Sequence, residues 1–185
     1  MKKKRWFTFF GILMAIFLWS ALLYRYHPEK IVGMIGINNG YIASFLIALF
    51  GEAATFSFIS VYPAIITLAA GGLNPIALGI IAGLGMTAGN MLYYYLGYRG
   101  KEVLTEKYEH KIDRLLRWME KEPCWIIQLV IFLYVAFTPL PNNLLTVACG
   151  VADHRWKRLL PPLIIGNIVL CTYVSYFAVL GIKIF

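Results

Sequence analysis

Between Lys30 and Arg99 the sequence carries a single charged side chain, Glu52. So long an uncharged stretch cannot coat a water-soluble domain, in which about 25% of residues are charged. Across the whole chain the charged share is 14% and the apolar share 60%. Lipid must therefore act as solvent for much of the surface, and residues 1–185 are predicted to form one all-α integral membrane domain.

Five apolar blocks can be marked, at 6–24, 40–72, 74–98, 125–152 and 160–184. A helix needs ~20 residues to cross the hydrocarbon, which suits the first, third and fifth blocks. The other two, of 33 and 28 residues, are too long for one upright span and too short for two. Gly51-Glu52, Ser57, Ser60 and Pro63 interrupt the first of them, and Thr138-Pro139-Leu140-Pro141-Asn142-Asn143 the second. Two prolines two residues apart cannot lie in a continuous helix interior. Each block is thus predicted to be a re-entrant helical hairpin that turns at membrane depth, where irregular backbone survives only beside protein or a water-filled cavity.

Lys and Arg test this topology independently. They fall as four at 2–5, two at Arg25 and Lys30, seven between Arg99 and Lys121, three at Arg155, Lys157 and Arg158, and one at Lys183. With the N-terminus inside, five full spans would leave seven cations inside and ten outside. Two re-entrant hairpins leave fourteen inside and three outside, which the positive-inside rule favours. The C-terminus is then outside.

The same topology makes hairpin 40–72 plus span 74–98 an inverted copy of hairpin 125–152 plus span 160–184. Inverted units with broken helices are a pattern of secondary transporters. Between the units, residues 99–122 read as an amphipathic helix on the cytoplasmic interface, with Leu104, Tyr108, Ile112, Leu115 and Met119 on one stripe. The run Trp6–Tyr24 behind four basic residues is predicted to be an uncleaved first span, since bulky residues close it and no small-residue cleavage site follows.

The net charge of +8 is explained by membrane orientation rather than by nucleic acid. Cys124, Cys149 and Cys171 have neither disulfide nor zinc spacing, and no metal or cofactor is expected. There is no HExxH, GxSxG or P-loop, so an enzyme is not expected either.

The order of motifs along residues 40–184 resembles the DedA family, within the VTT-domain (SNARE-associated) superfamily. In the first unit Glu52 is followed by Pro63, Gly71-Gly72, Gly85-x-x-Ala88-Gly89-Asn90, Tyr94 and Gly97; in the second, Phe137-x-Pro139-x-Pro141 leads to Ala148-Cys149-Gly150 and Gly166. The resemblance implies a lipid-handling protein with two hairpins facing each other, since relatives are associated with polyprenyl-phosphate recycling and phospholipid scrambling. The chain departs from the pattern in three places. Ala64 and Ile65 follow Pro63 where many relatives carry a second acid, Asn90 replaces an aspartate, and Asn142-Asn143 stand in the neighbourhood of an arginine. These losses weigh against proton coupling.

The expected lipid path comprises Glu52, Ser57, Ser60, Pro63, Asn90, Tyr94, Pro139, Pro141, Asn142 and Asn143. A carboxylate at membrane depth is costly, so Glu52 is either a functional group or a cap on a half-helix. The tip around Asn142 and Asn143, beside a half-helix beginning near residue 144, either holds an anionic headgroup or satisfies broken backbone. Gly79, Gly83, Asn90, Tyr94 and Gly97 share one helical face, which suits close helix packing and leaves Asn90 and Tyr94 able to line a polar path. Arg99, Arg155, Lys157 and Arg158 either attract anionic headgroups or simply fix topology.

The leading expectation is a flippase- or scramblase-like lipid translocator in a prokaryotic plasma membrane, with phospholipid or polyprenyl phosphate as partner and homo-oligomers allowed. The alternatives are an ion-coupled transporter of a small solute and a noncatalytic membrane scaffold.

Overall fold

The structure, a computed structural model, describes residues 28–53, 57–100, 122–138, 142–152 and 154–184. The expected first span at 6–24 and nearly all of the amphipathic helix at 99–122 lie outside the described residues. All regular structure among the described residues is helical: α1 (Pro28–Ile35), α2 (Ile37–Ala53), α3 (Ser57–Ala70), α4 (Pro75–Gly100), α5 (Cys124–Phe137), α6 (Asn142–Val151) and α7 (Trp156–Ile184).

Helices α4 and α7 have 26 and 29 residues. At 1.5 Å per residue they reach about 39 and 44 Å, more than the ~30 Å hydrocarbon core. Both are apolar enough to cross a membrane. Helices α3 and α5 have 14 residues each and α6 has 10, which gives only about 21 and 15 Å.

Helix ends fall where the sequence supplies stop and start signals. At the end of α3, Gly72 adopts φ +98°, Leu73 N–H donates to the Leu68 carbonyl and Gly72 N–H to that of Ala69. This is a Schellman stop, whose left-handed residue favours glycine. Asn74 then caps α4, its Oδ1 accepting from the amides of Ile76 (2.9 Å) and Ala77 (3.3 Å), and Pro75 fills the first helical position. The Asn74 amide itself donates to the Tyr41 hydroxyl, tying the turn to α2. Asn74→Ala should therefore cost about 1 kcal/mol, read as a lower melting temperature in detergent.

Three details differ from the sequence expectation. Pro63 does not interrupt the block but lies inside α3. Proline is tolerated within membrane helices because neighbouring groups can re-satisfy the freed backbone. The half-helix expected near residue 144 starts at Asn142, which puts both asparagines in its first turn. The short α1, ended by Gly36 at φ +83°, was not expected at all.

Helix α4 packs on α2 and on α6. Helix α7 packs likewise on α5 and on α3, and α4 and α7 pack on each other. Small residues make these approaches possible. A Cβ on Gly83 would lie 2.7 Å from the Ile168 backbone of α7, one on Gly89 2.8 Å from Glu52 Cβ of α2, and one on Gly166 2.8 Å from Val135 of α5. Gly97 and Gly150 bring α4 and α6 together in the same way, against Val147 and Tyr94.

Polarity is distributed inside out. Ile76, Ile80, Leu84, Leu92 and Leu96 of α4 and Ile165, Tyr173, Phe177 and Leu180 of α7 are exposed. Glu52, Thr87, Asn90, Asn142, Asn143, Thr146 and Asn167 are buried. Large apolar side chains outside and polar ones inside suit a lipid solvent.

Candidate functional site

The buried polar side chains gather where α2, α4, α6 and α7 meet. Asn142 Nδ2 donates to Asn167 Oδ1 (3.2 Å), Asn167 Nδ2 donates to Thr87 Oγ1 (3.0 Å), and the Thr87 hydroxyl donates to the Gly83 carbonyl (2.8 Å). One chain of hydrogen bonds thus joins α6, α7 and α4. Asn143 Nδ2 donates to the Glu52 backbone carbonyl (3.2 Å), which joins the start of α6 to the end of α2. The Thr146 hydroxyl reaches back to the carbonyls of Asn142 and Asn143, at 3.2 and 3.0 Å. Glu52 thus stands one residue from the end of α2 and Asn142 at the start of α6, and the Asn143–Glu52 hydrogen bond joins the two ends.

Three amides in this zone are incompletely used. Both polar atoms of the fully buried Asn90, and the Oδ1 atoms of Asn142 and Asn143, make no hydrogen bond to the described residues. An amide left so in an apolar interior costs about 1–3 kcal/mol. Groups of this kind ordinarily belong to sites that receive water, an ion or a ligand. Asn90 follows Gly89, the residue that lets α4 press against Glu52, so the amide and the carboxylate occupy the same stretch of the α2–α4 contact.

The other sequence-expected residues lie elsewhere. Tyr94 is a turn further along α4 from Asn90, and its hydroxyl donates to the His154 carbonyl (2.7 Å) in the connection between α6 and α7. Arg99, Arg155, Lys157 and Arg158 are exposed around that end of the bundle. A cavity of about 590 Å³ there is lined by Tyr94, Tyr95, Tyr98, Arg155, Trp156 and Lys157. Burial holds the His154 imidazole below its ordinary pKa, and the Arg158 charge adds to the effect. Pro63 sits half-buried in α3, its carbonyl accepting from Thr67 (2.8 Å). Ser57 and Ser60 belong to the start of α3, but their side chains, with Pro139 and Pro141, lie outside the described residues.

Sequence reasoning missed Thr87, Thr146 and Asn167. One signal for Asn167 was available. The dipeptide Gly89-Asn90 of α4 recurs as Gly166-Asn167 in α7, the first glycine set against α2 and the second against α5.

The VTT domain family matches residues 61–180, well over half of the chain. The chain belongs to this family. With two helices fit to span the bilayer, it is a membrane protein of the DedA/SNARE-associated type. No curated protein and no solved structure matches it. The VTT domain takes in Thr87, Asn90, Asn142, Asn143, Thr146 and Asn167, whereas Glu52 precedes its first matched residue. The amide network is therefore a feature of the VTT domain in this chain, with a carboxylate brought to it from α2. Among the described residues there is no cluster of His, Cys, Asp and Glu that could hold a metal ion.

Proposed function

We propose that this VTT-domain protein moves lipids between leaflets, the headgroup passing through the amide-lined interior while the acyl or prenyl tail stays in hydrocarbon. The observation that carries the reading is the set of incompletely used amides of Asn90, Asn142 and Asn143, buried where α2, α4, α6 and α7 meet. A headgroup with phosphate and hydroxyl groups can use such donors and acceptors. A purely structural network would be expected to satisfy its own members.

Two re-entrant hairpins in inverted units supply the architecture for this reading. Its support is the pairing pattern, in which each long helix packs on the first arm of its own hairpin and the second arm of the other, and the shortness of α3, α5 and α6 against a ~30 Å core. The charge asymmetry supports a cytoplasmic N-terminus and basic end, with the C-terminus outside, in a plasma membrane. The chain acts without enzymatic chemistry in this account, and its partners are phospholipid or polyprenyl phosphate.

The second reading, an ion-coupled solute transporter, draws on one observation: Glu52 is wholly buried at membrane depth. It predicts solute uptake that follows a pH gradient and is lost in Glu52→Gln.

Reconstitution separates the two. Vesicles containing the protein should bring a fluorescent phospholipid or polyprenyl phosphate to the outer leaflet faster than empty vesicles, with no ion gradient imposed. If every lipid tried crosses at the empty-vesicle rate, the translocator reading is lost.

A further inference from the structure

The cavity at the basic end of the bundle is separate from the amide network, and the described residues that line it are aromatic and cationic. Its aromatic members are Tyr94, Tyr95, Tyr98 and Trp156, and its cations are Arg155 and Lys157, with Arg99 beside Tyr95. Rings and cations together admit two quite different ligands. A cage of open ring faces binds a quaternary ammonium group, whereas cations with hydroxyl donors bind phosphate.

The ring faces decide between them. The Arg99 guanidinium stands over Tyr95 at 5.3 Å, and Lys157 Nζ over Trp156 at 5.7 Å. Tyr94 and Tyr98 stack on each other with centroids 6.5 Å apart and planes 13° from parallel. The rings are thus already engaged by the protein's own cations and by one another, and a second cation would meet like charge. For an anion the same arrangement is favourable, because the stacked rings hold the cations in place. The Tyr95 hydroxyl accepts from Arg99 Nε (3.0 Å), which leaves its own proton to donate. A volume of about 590 Å³ is enough for a headgroup and the first part of its tail.

We infer that this cavity is a docking site for the phosphate head of an anionic lipid, loading the translocation path from the basic side. The inference deepens the lipid-translocator reading and rests on it, but its test is made at equilibrium and needs no lipid to cross. Phosphate is held by Arg155, Lys157 and the Tyr95 hydroxyl, and the apolar ring surfaces receive the beginning of the tail.

The test is calorimetric titration of the detergent-solubilised full chain with three probes: dioctanoyl phosphatidic acid, dioctanoyl phosphatidylcholine and inorganic phosphate. Saturable binding of phosphatidic acid is expected, weakening with salt, with phosphatidylcholine clearly weaker. Arg155→Gln and Lys157→Gln should each weaken it about fivefold. Tyr95→Phe, which keeps the ring under Arg99, should weaken it by a smaller factor, and Gly33→Ala in α1 should leave it unchanged.

Equal binding of phosphatidylcholine, or no loss in the Arg155 and Lys157 variants, overturns the inference. Inorganic phosphate binding as tightly as phosphatidic acid overturns its lipid part. Failure of every lipid to cross in vesicles, with this binding intact, sinks the translocator reading and leaves the docking site standing.

Discussion

Gly83→Leu is expected to be strongly destabilising. Gly83 faces the Ile168 backbone of α7, and even its first added carbon would lie 2.7 Å from Ile168 N and Cα. Backbone cannot rotate out of the way as a side-chain end can, so α4 and α7 would have to move apart. These helices form the central contact, and α2, α6, α5 and α3 all pack on one or other of them. A cost of about 3 kcal/mol or more is expected, the upper range for overpacking. It would be read as early loss of the monodisperse peak when the detergent-solubilised protein is heated. Gly33 supplies the contrast, since a Cβ there meets nothing within 4 Å. Gly33→Ala should leave the protein equally stable or raise its stability by about 0.5–1 kcal/mol through helix propensity.

Asn90→Leu is expected to separate stability from activity. Its amide is wholly buried and makes no hydrogen bond to the described residues. Removing such a group relieves a desolvation cost, so the fold should be unchanged or more stable by about 1 kcal/mol. If the amide serves a passing headgroup, the same change removes one interaction along its path. The loss of about 1.4 kcal/mol there would slow lipid passage about tenfold. Stability is measured by thermal denaturation and passage by lipid equilibration in vesicles. A variant that is stable and fully active would remove Asn90 from the path; one that is unstable and inactive would make it a packing residue.

The break between α5 and α6 was legible because it rests on counting. A block of 28 residues with Pro139 and Pro141 at its centre cannot be one helix, and α5 indeed stops at Phe137 and α6 starts at Asn142. The glycines of α4 were legible through their spacing, and Gly79 and Gly83 meet α7 while Gly97 meets α6. Pro63 misled because its local effect, one missing backbone donor, is small enough for a buried helix to absorb. Helix α1 escaped because eight residues hold too few turns to display a period.

The site was less legible than the fold, and the reason is physical. A lone Asn167 in an apolar span carries no pattern of its own, and its meaning comes from Asn142 and Thr87, far away in sequence. Such partners are set by tertiary packing, which local periodicity does not encode. The recurrence of Gly-Asn in both long helices was the one trace of it along the chain.

The most direct test of the central claim is water accessibility at the two helix breaks. Ser57→Cys and Thr138→Cys would be made singly in a chain whose Cys124, Cys149 and Cys171 are replaced by alanine, and labelled in sealed vesicles with a membrane-impermeant maleimide. A polar interior between inverted hairpins predicts that both positions react, Ser57→Cys from the outer side and Thr138→Cys from the side of the basic end. Labelling of neither position, or of both from the same side, would contradict it.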